Sequence, residues 1–118
     1  MSKSVLIVDD HPSFRASVRR MLEASGYAVV GEAADGAEAL AAAGELEPDL
    51  VLLDVQLPDL NGFEVAERLA ALGPSRPQVV LTSSRDLAEY GEEVDDSPVR
   101  GFIPKSELSG EALAELVG

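Results

Sequence analysis

Cysteine is absent from the 118 residues, which excludes thiol nucleophiles, zinc thiolate sites and redox switching and fits a reducing compartment. Positive charge is scarce: nine Lys and Arg stand against twenty-two Asp and Glu, a net charge of −13. That surplus would repel a phosphate backbone, so direct nucleic-acid binding is not expected, whereas a basic protein partner is compatible with it. No apolar stretch approaches the roughly 20 residues of a membrane-spanning helix, and Met1-Ser2-Lys3-Ser4-Val5 enters a strand-like run without signal-peptide character. A cytoplasmic protein without membrane contact is the expectation. Linkers, internal repeats and low-complexity segments are also lacking. Residues 1–118 therefore read as one domain, long enough to bury roughly two thirds of its unfolded surface.

What is present is an alternation of apolar runs and helical patterns. Strands are predicted near 4–8, 28–33, 49–53, 78–82 and 99–103, each followed by a helix, which implies a mostly parallel sheet covered on both faces. The first helix starts after Asp10-His11 with Pro12 in its first turn, ends by Gly26, and carries the apolar stripe Phe14, Val18, Met21 and Leu22. The second spans about Ala37 to Ala43. The third starts near Gly62 and packs through Phe63, Ala66, Leu69 and Ala70. The fourth is predicted as a short element over Asp86 to Tyr90, ahead of Gly91 and an acidic run, with Tyr90 as a packing residue. The last opens at Ser109 and runs about two turns.

Four polar residues follow buried strands. Asp9 and Asp10 come after Val5-Leu6-Ile7-Val8, Asp54 after Leu50-Val51-Leu52-Leu53, and Lys105 after Gly101-Phe102-Ile103-Pro104. Open α/β sheets bind ligands beyond the carboxyl ends of their strands, so these residues would share one mouth. Three carboxylates there repel one another, which favours a central Mg2+, a cation that prefers oxygen ligands. The loop Asp54-Val55-Gln56-Leu57-Pro58-Asp59-Leu60-Asn61-Gly62 exposes Asp54 as a nucleophile toward a phosphoryl donor, and Lys105 would neutralise the transferred charge. The Thr82 hydroxyl could donate to a phosphoryl oxygen, and Phe102 could move inward if Thr82 moved. Taken alone, Asp9-Asp10 would read as a helix cap, Asp54 as a turn residue and Lys105 as a solvated lysine. His11 reads as a surface residue at a helix start, because a metal role usually needs a second histidine or cysteine. Arg85 reads as a solvated arginine.

In this order and spacing, the residues resemble the receiver domain of two-component response regulators over essentially the whole chain. The resemblance implies a flavodoxin-like (βα)5 fold with strand order 2-1-3-4-5. It also implies phosphorylation of Asp54 by a sensor histidine kinase or a small phosphodonor, with Mg2+ held by Asp10, Asp54 and the carbonyl of Gln56, and Asp9 acting largely through water. By position, Thr82 would follow the phosphoryl group and Phe102 would rotate. The face made by the fourth helix, fifth strand and fifth helix would then change its preferred partner. Gln56 and Ser84, two residues after Asp54 and Thr82, would tune dephosphorylation.

Two departures bear on the lysine end: Pro104 precedes Lys105 where many members have proline after it, and Phe102 replaces a Tyr or His. With Ser106 following, a trans Lys105-Ser106 bond is expected. The resemblance describes a signalling phosphoacceptor rather than an enzyme with turnover. Alternatives are a pseudo-receiver binding without phosphorylation, a receiver excised from a DNA-binding regulator, and a haloacid-dehalogenase-type phosphatase, which wants an acid where Gln56 stands. Surfaces bearing the first or the fourth helix could each support a homodimer.

Overall fold

The five apolar runs form β1 (Ser4–Val8), β2 (Ala28–Ala33), β3 (Leu50–Asp54), β4 (Gln78–Ser83) and β5 (Gly101–Pro104). In the computed structural model, which describes residues 2–73, 76–85 and 89–117, they make one parallel sheet in the order β2-β1-β3-β4-β5. The connections are α1 (Pro12–Ala24), α2 (Gly36–Leu46), α3 (Gly62–Ala70) and α4 (Gly91–Asp95), and α5 (Gly110–Val117) follows β5. This is the flavodoxin-like arrangement expected from the sequence.

Strand residues alternate between two cores because successive side chains leave a strand on opposite faces. Leu6, Val8, Val51, Leu53, Val79 and Leu81 pack under α2 and α3 against Ala39, Ala43, Val65, Ala66 and Leu69. Val5, Ile7, Leu50, Leu52, Val80 and Ile103 face α1 and α5 and meet Val18, Leu22, Leu113 and Val117. Both faces of the central strands are thus dry, and each fully buried Leu or Val contributes about 1.5–3 kcal/mol. The order β2-β1-β3 reverses direction at β1, so a crevice opens between the carboxyl ends of β1 and β3.

Local chemistry sets the helix starts. Asp35 accepts from the Glu38 amide at 2.8 Å while Glu38 accepts from the Ala34 amide at 3.1 Å, and Asn61 accepts from the Glu64 amide at 2.9 Å. Such reciprocal caps satisfy amides that lack intrahelical partners.

Three expectations need correction. β5 starts at Gly101 rather than Val99, because the Val99 amide donates back to the Ser97 carbonyl across Pro98 and pairing toward β4 resumes only with Arg100 N–H on Val79 O at 2.7 Å. The fourth helix is short, as predicted, but occupies the acidic run itself: Glu92 and Glu93 sit in its first turn, where the helix dipole favours them, and Asp95 and Asp96 stand at its end, where it does not. Residues 86–88, where that helix was expected, lie outside the described residues, and Tyr90 precedes the helix rather than lying on it. In α3, Val65 belongs to the buried face alongside Ala66 and Leu69. Pro104 sits on the edge strand, where a missing N–H is tolerated, and the Lys105-Ser106 peptide is trans.

Candidate functional site

Asp9 extends β1 by one residue: its amide donates to Ala33 O at 3.0 Å, and its side chain is completely buried. Its carbonyl accepts from Arg15 Nη1 at 2.5 Å, one α-helical turn into α1. Arg15 is held in turn by Glu32 of β2 at 3.0 Å, and Glu32 also accepts from Arg19 at 2.8 Å. Those bonds, Arg19's first, hold the Glu32 carboxyl below its usual range despite partial burial. No side chain caps α1. The helix-cap reading of Asp9-Asp10 therefore fails, although Asp9 Oδ1 accepts from the His11 amide at 2.7 Å. Beside them, His11 Nδ1 lies 2.9 Å from Asp9 Oδ1 and 3.1 Å from Asp10 Oδ1.

Asp54 closes β3, and its Oδ1 accepts from the Gln56 amide at 3.2 Å. The loop beyond it folds back tightly. The Gly62 amide donates to Val55 O at 2.7 Å, and a Cβ on Gly62 would stand 2.6 Å from the Asp54 carbonyl oxygen and 2.8 Å from Val55 Cα. Only glycine fits so close to backbone atoms. Asp59 pins the same loop to the start of α2, accepting from the Gly36 and Ala37 amides at 2.7 and 2.9 Å, and these bonds lower its carboxyl pKa.

Lys105 joins the two sides. Its Nζ donates to Asp9 Oδ2 at 2.5 Å and to Asp54 Oδ2 at 3.4 Å, and lies 4.2 Å from the centre of the Phe14 ring. Burial alone would lower its pKa, but the two carboxylates outweigh that and raise it. For Asp9, burial pushes the carboxyl up and is outweighed by Lys105 and the His11 amide, so it lies below the ordinary value. Asp54 is different. Burial and the neighbouring Asp9 charge, opposed by Lys105, push it up to about 6. The lysine thus serves Asp9 first and leaves Asp54 partly uncompensated, which favours a cation beside it.

Asp9, Asp10, Asp54 and Lys105 come together as the sequence predicts, and His11 joins them: one donor atom each from Asp9, Asp10, His11 and Asp54 lie within 4.8 Å of one another. This acidic cluster fits a Mg2+ site. Thr82 is opposite Asp54 in the β3–β4 register, but its buried hydroxyl donates to Ile103 O at 2.7 Å. Phe102 lies away from the crevice in an aromatic row, its ring 5.9 Å from Tyr90, which is 5.9 Å from Phe63. Gln56 and Ser84 are exposed at the rim, as is Arg85. Sequence reasoning passed over Arg15 and Asp59, which touch main chain rather than ligand, and Phe14 as a neighbour of Lys105. The four-residue spacing of Arg15 and Arg19 was the available signal, since it puts two cations on one helix face beside an acidic strand.

Residues 5–117 match the response regulator receiver domain family. Among curated relatives, BvgA of Bordetella pertussis, named as a transcription regulator of virulence factors, is 39% identical over 113 residues, covering 96% of this chain and 54% of BvgA. The response regulator MprA of Mycobacterium ulcerans is 37% identical over 116 residues, covering 98% of this chain and 49% of MprA. The chain spans about half the length of these relatives. Among solved structures, the signal receiver domain of NarL from Mycobacterium tuberculosis superposes with a TM-score of 0.87 at 33% identity, covering 99% of this chain and 98% of that one. The chain belongs to the receiver domains of response regulators, the signalling modules of two-component systems.

Proposed function

We propose that Asp54 accepts a phosphoryl group from the phosphohistidine of a sensor kinase or from a small phosphodonor. Mg2+ would be held by Asp10, Asp54 and the Gln56 carbonyl, with Asp9 through water; when bound, it neutralises charge on the phosphoryl oxygens. An Asp54 carboxylate oxygen forms the bond to phosphorus as the bond to the donor's leaving atom breaks, and the leaving group takes up a proton from solvent. Lys105, already between Asp9 and Asp54, needs only a small shift to meet a phosphoryl oxygen on Asp54. That bridging lysine carries the reading, because an idle surface lysine would lie in solvent rather than partly buried between two carboxylates.

The product drives the switch through Thr82. A phosphoryl oxygen competes with Ile103 O for its hydroxyl, and a hydrogen bond to a charged acceptor contributes about 1.5–3 kcal/mol against about 1 kcal/mol for a neutral one. That difference bounds the population shift available to Phe102 and the α4–β5–α5 face. Gln56 and Ser84, at the rim, would set access of the hydrolytic water.

Incubation with Mg2+ and acetyl phosphate or phosphoramidate, followed by intact mass measurement, is the test. Wild type should gain one base-labile phosphoryl group and Asp54→Asn none. No gain in wild type, with a cognate kinase also ineffective, would leave the pseudo-receiver, a binding module that acts without phosphorylation.

Relatives of twice the length, one named as a transcription regulator, favour a second reading of context: residues 1–118 are a single receiver unit within a longer regulator. In it, nucleic-acid contact would fall to another domain, since this one is strongly acidic. No helix among the described residues is long and apolar enough to cross a membrane.

A further inference from the structure

The carboxylate mouth contains a nitrogen donor that the reading above leaves idle. His11 stands directly before Pro12, and a residue before proline is pushed out of the helical region; its backbone is extended, at φ −100° and ψ 107°. Its amide also donates to Asp9 Oδ1 at 2.7 Å. The ring lies beside the two carboxylates, with the side chain 65% exposed.

The spacing of the donor atoms matters as much as their identity. In an octahedral site with metal–ligand bonds near 2.1 Å, adjacent ligand atoms are separated by about 3.0 Å. Nδ1 lies 2.9 Å from Asp9 Oδ1 and 3.1 Å from Asp10 Oδ1. The first is a hydrogen-bond contact to the carboxylate that would act through water; the second suits adjacent corners of one octahedron, so the ring can coordinate beside Asp10 once its proton resides on Nε2. Lys105 donates to Asp9 Oδ2 and the His11 amide to Asp9 Oδ1, so both Asp9 oxygens are engaged and Asp10 is the carboxylate placed to share a cation with the ring.

We propose that His11 Nδ1 is a metal ligand, making this a mixed nitrogen and oxygen site that favours first-row transition dications, Mn2+ through Ni2+, over Mg2+ relative to an all-oxygen site. Imidazole gains affinity along that series, whereas Mg2+ gains little from nitrogen. The proposal rests on the metal-site reading above and adds one ligand to it.

The test measures binding of Mg2+, Mn2+ and Ni2+, each alone, to wild type, His11→Ala and Asp10→Asn by calorimetry, with pulsed electron paramagnetic resonance of the Mn2+ complex. Wild-type Mn2+ should show modulation from an imidazole nitrogen that disappears in His11→Ala. The ratio of Ni2+ to Mg2+ affinity should fall about ten-fold or more in that variant while Mg2+ affinity itself changes little. Absence of the nitrogen signal, or an unchanged ratio, overturns the proposal. If Asp10→Asn still weakens every cation in that case, the carboxylate site stands and only the role of His11 is lost. If no cation binds wild type, the site reading falls as well.

Discussion

Asp54 is buried beside a second carboxylate while the nearby lysine sits closer to that neighbour, so its charge is poorly compensated in the metal-free domain. Its folded pKa of about 6 lies above the ordinary 3.8. A raised carboxyl pKa means that the folded state binds the proton more tightly than the unfolded state, so stability from this group is present at low pH and lost as pH rises from about 4 through 6. Above pH 6 the loss is about 3 kcal/mol, from two pKa units at 1.36 kcal/mol each. Asp54→Asn should therefore stabilise the chelator-treated domain by about 1–3 kcal/mol at pH 8, and by progressively less as pH falls toward 4. Urea unfolding across that range reads it directly. An Asn variant less stable than wild type at pH 8 would show that the carboxylate is well compensated. Saturating Mg2+ should narrow the gap by binding wild type more tightly.

The acidic end and Lys105 were legible because each follows a long apolar run, and a parallel sheet brings strand ends together whatever the details of packing. Thr82 was harder. Its position opposite Asp54 could be read, but a hydroxyl rotor takes the nearest strong acceptor, here Ile103 O, which depends on β5 register rather than on any local motif. For His11, a lone histidine is a weak metal signal in a sequence, and the contact of its ring with Asp9 and Asp10 shows only in three dimensions.

At the scale of elements, the β3–α3 loop depends on one glycine. Gly62→Ala puts a methyl within 2.6–2.8 Å of Asp54 and Val55 backbone atoms, which no rotamer relieves. Loss of about 2 kcal/mol or more is expected in chemical denaturation, with weaker Mg2+ binding because Asp54 must shift. Full stability in that variant would mean the loop is slack. On the other side of the crevice, Arg15→Ala removes the donor to the Asp9 carbonyl and one partner of Glu32. Calorimetric Mg2+ affinity should drop several-fold while helix content is kept, and unchanged affinity would assign Arg15 to packing alone. The central strands β1, β3 and β4 were readable almost residue for residue, since runs buried on both faces are continuous and apolar. The fourth helix was not: its acidic composition reads as solvated loop, and its five residues are anchored by Val94 and the preceding Tyr90 packing against the core.

Across the whole molecule, the net charge of −13 and the concentration of carboxylates at one end of the sheet act together. Cations are drawn to that end and nucleic acid is repelled, so the domain should leave duplex DNA unshifted in a mobility assay at physiological salt; a shift would contradict the charge argument. Two dry cores on either side of one sheet make the crevice a rigid frame, and on the proposed function Thr82, Phe102 and Lys105 would respond to charge on Asp54 against it.

The most direct measurement combines chemical trapping with peptide mapping. The domain is treated with acetyl phosphate in Mg2+ or in chelator, reduced with borohydride to convert any aspartyl phosphate to homoserine, and digested for tandem mass spectrometry. Homoserine at position 54 alone, in Mg2+ and not in chelator, is the predicted result. Conversion at Asp9, Asp10 or Asp59, or equal conversion without a divalent cation, would contradict the assignment of Asp54 as a metal-assisted phosphoacceptor.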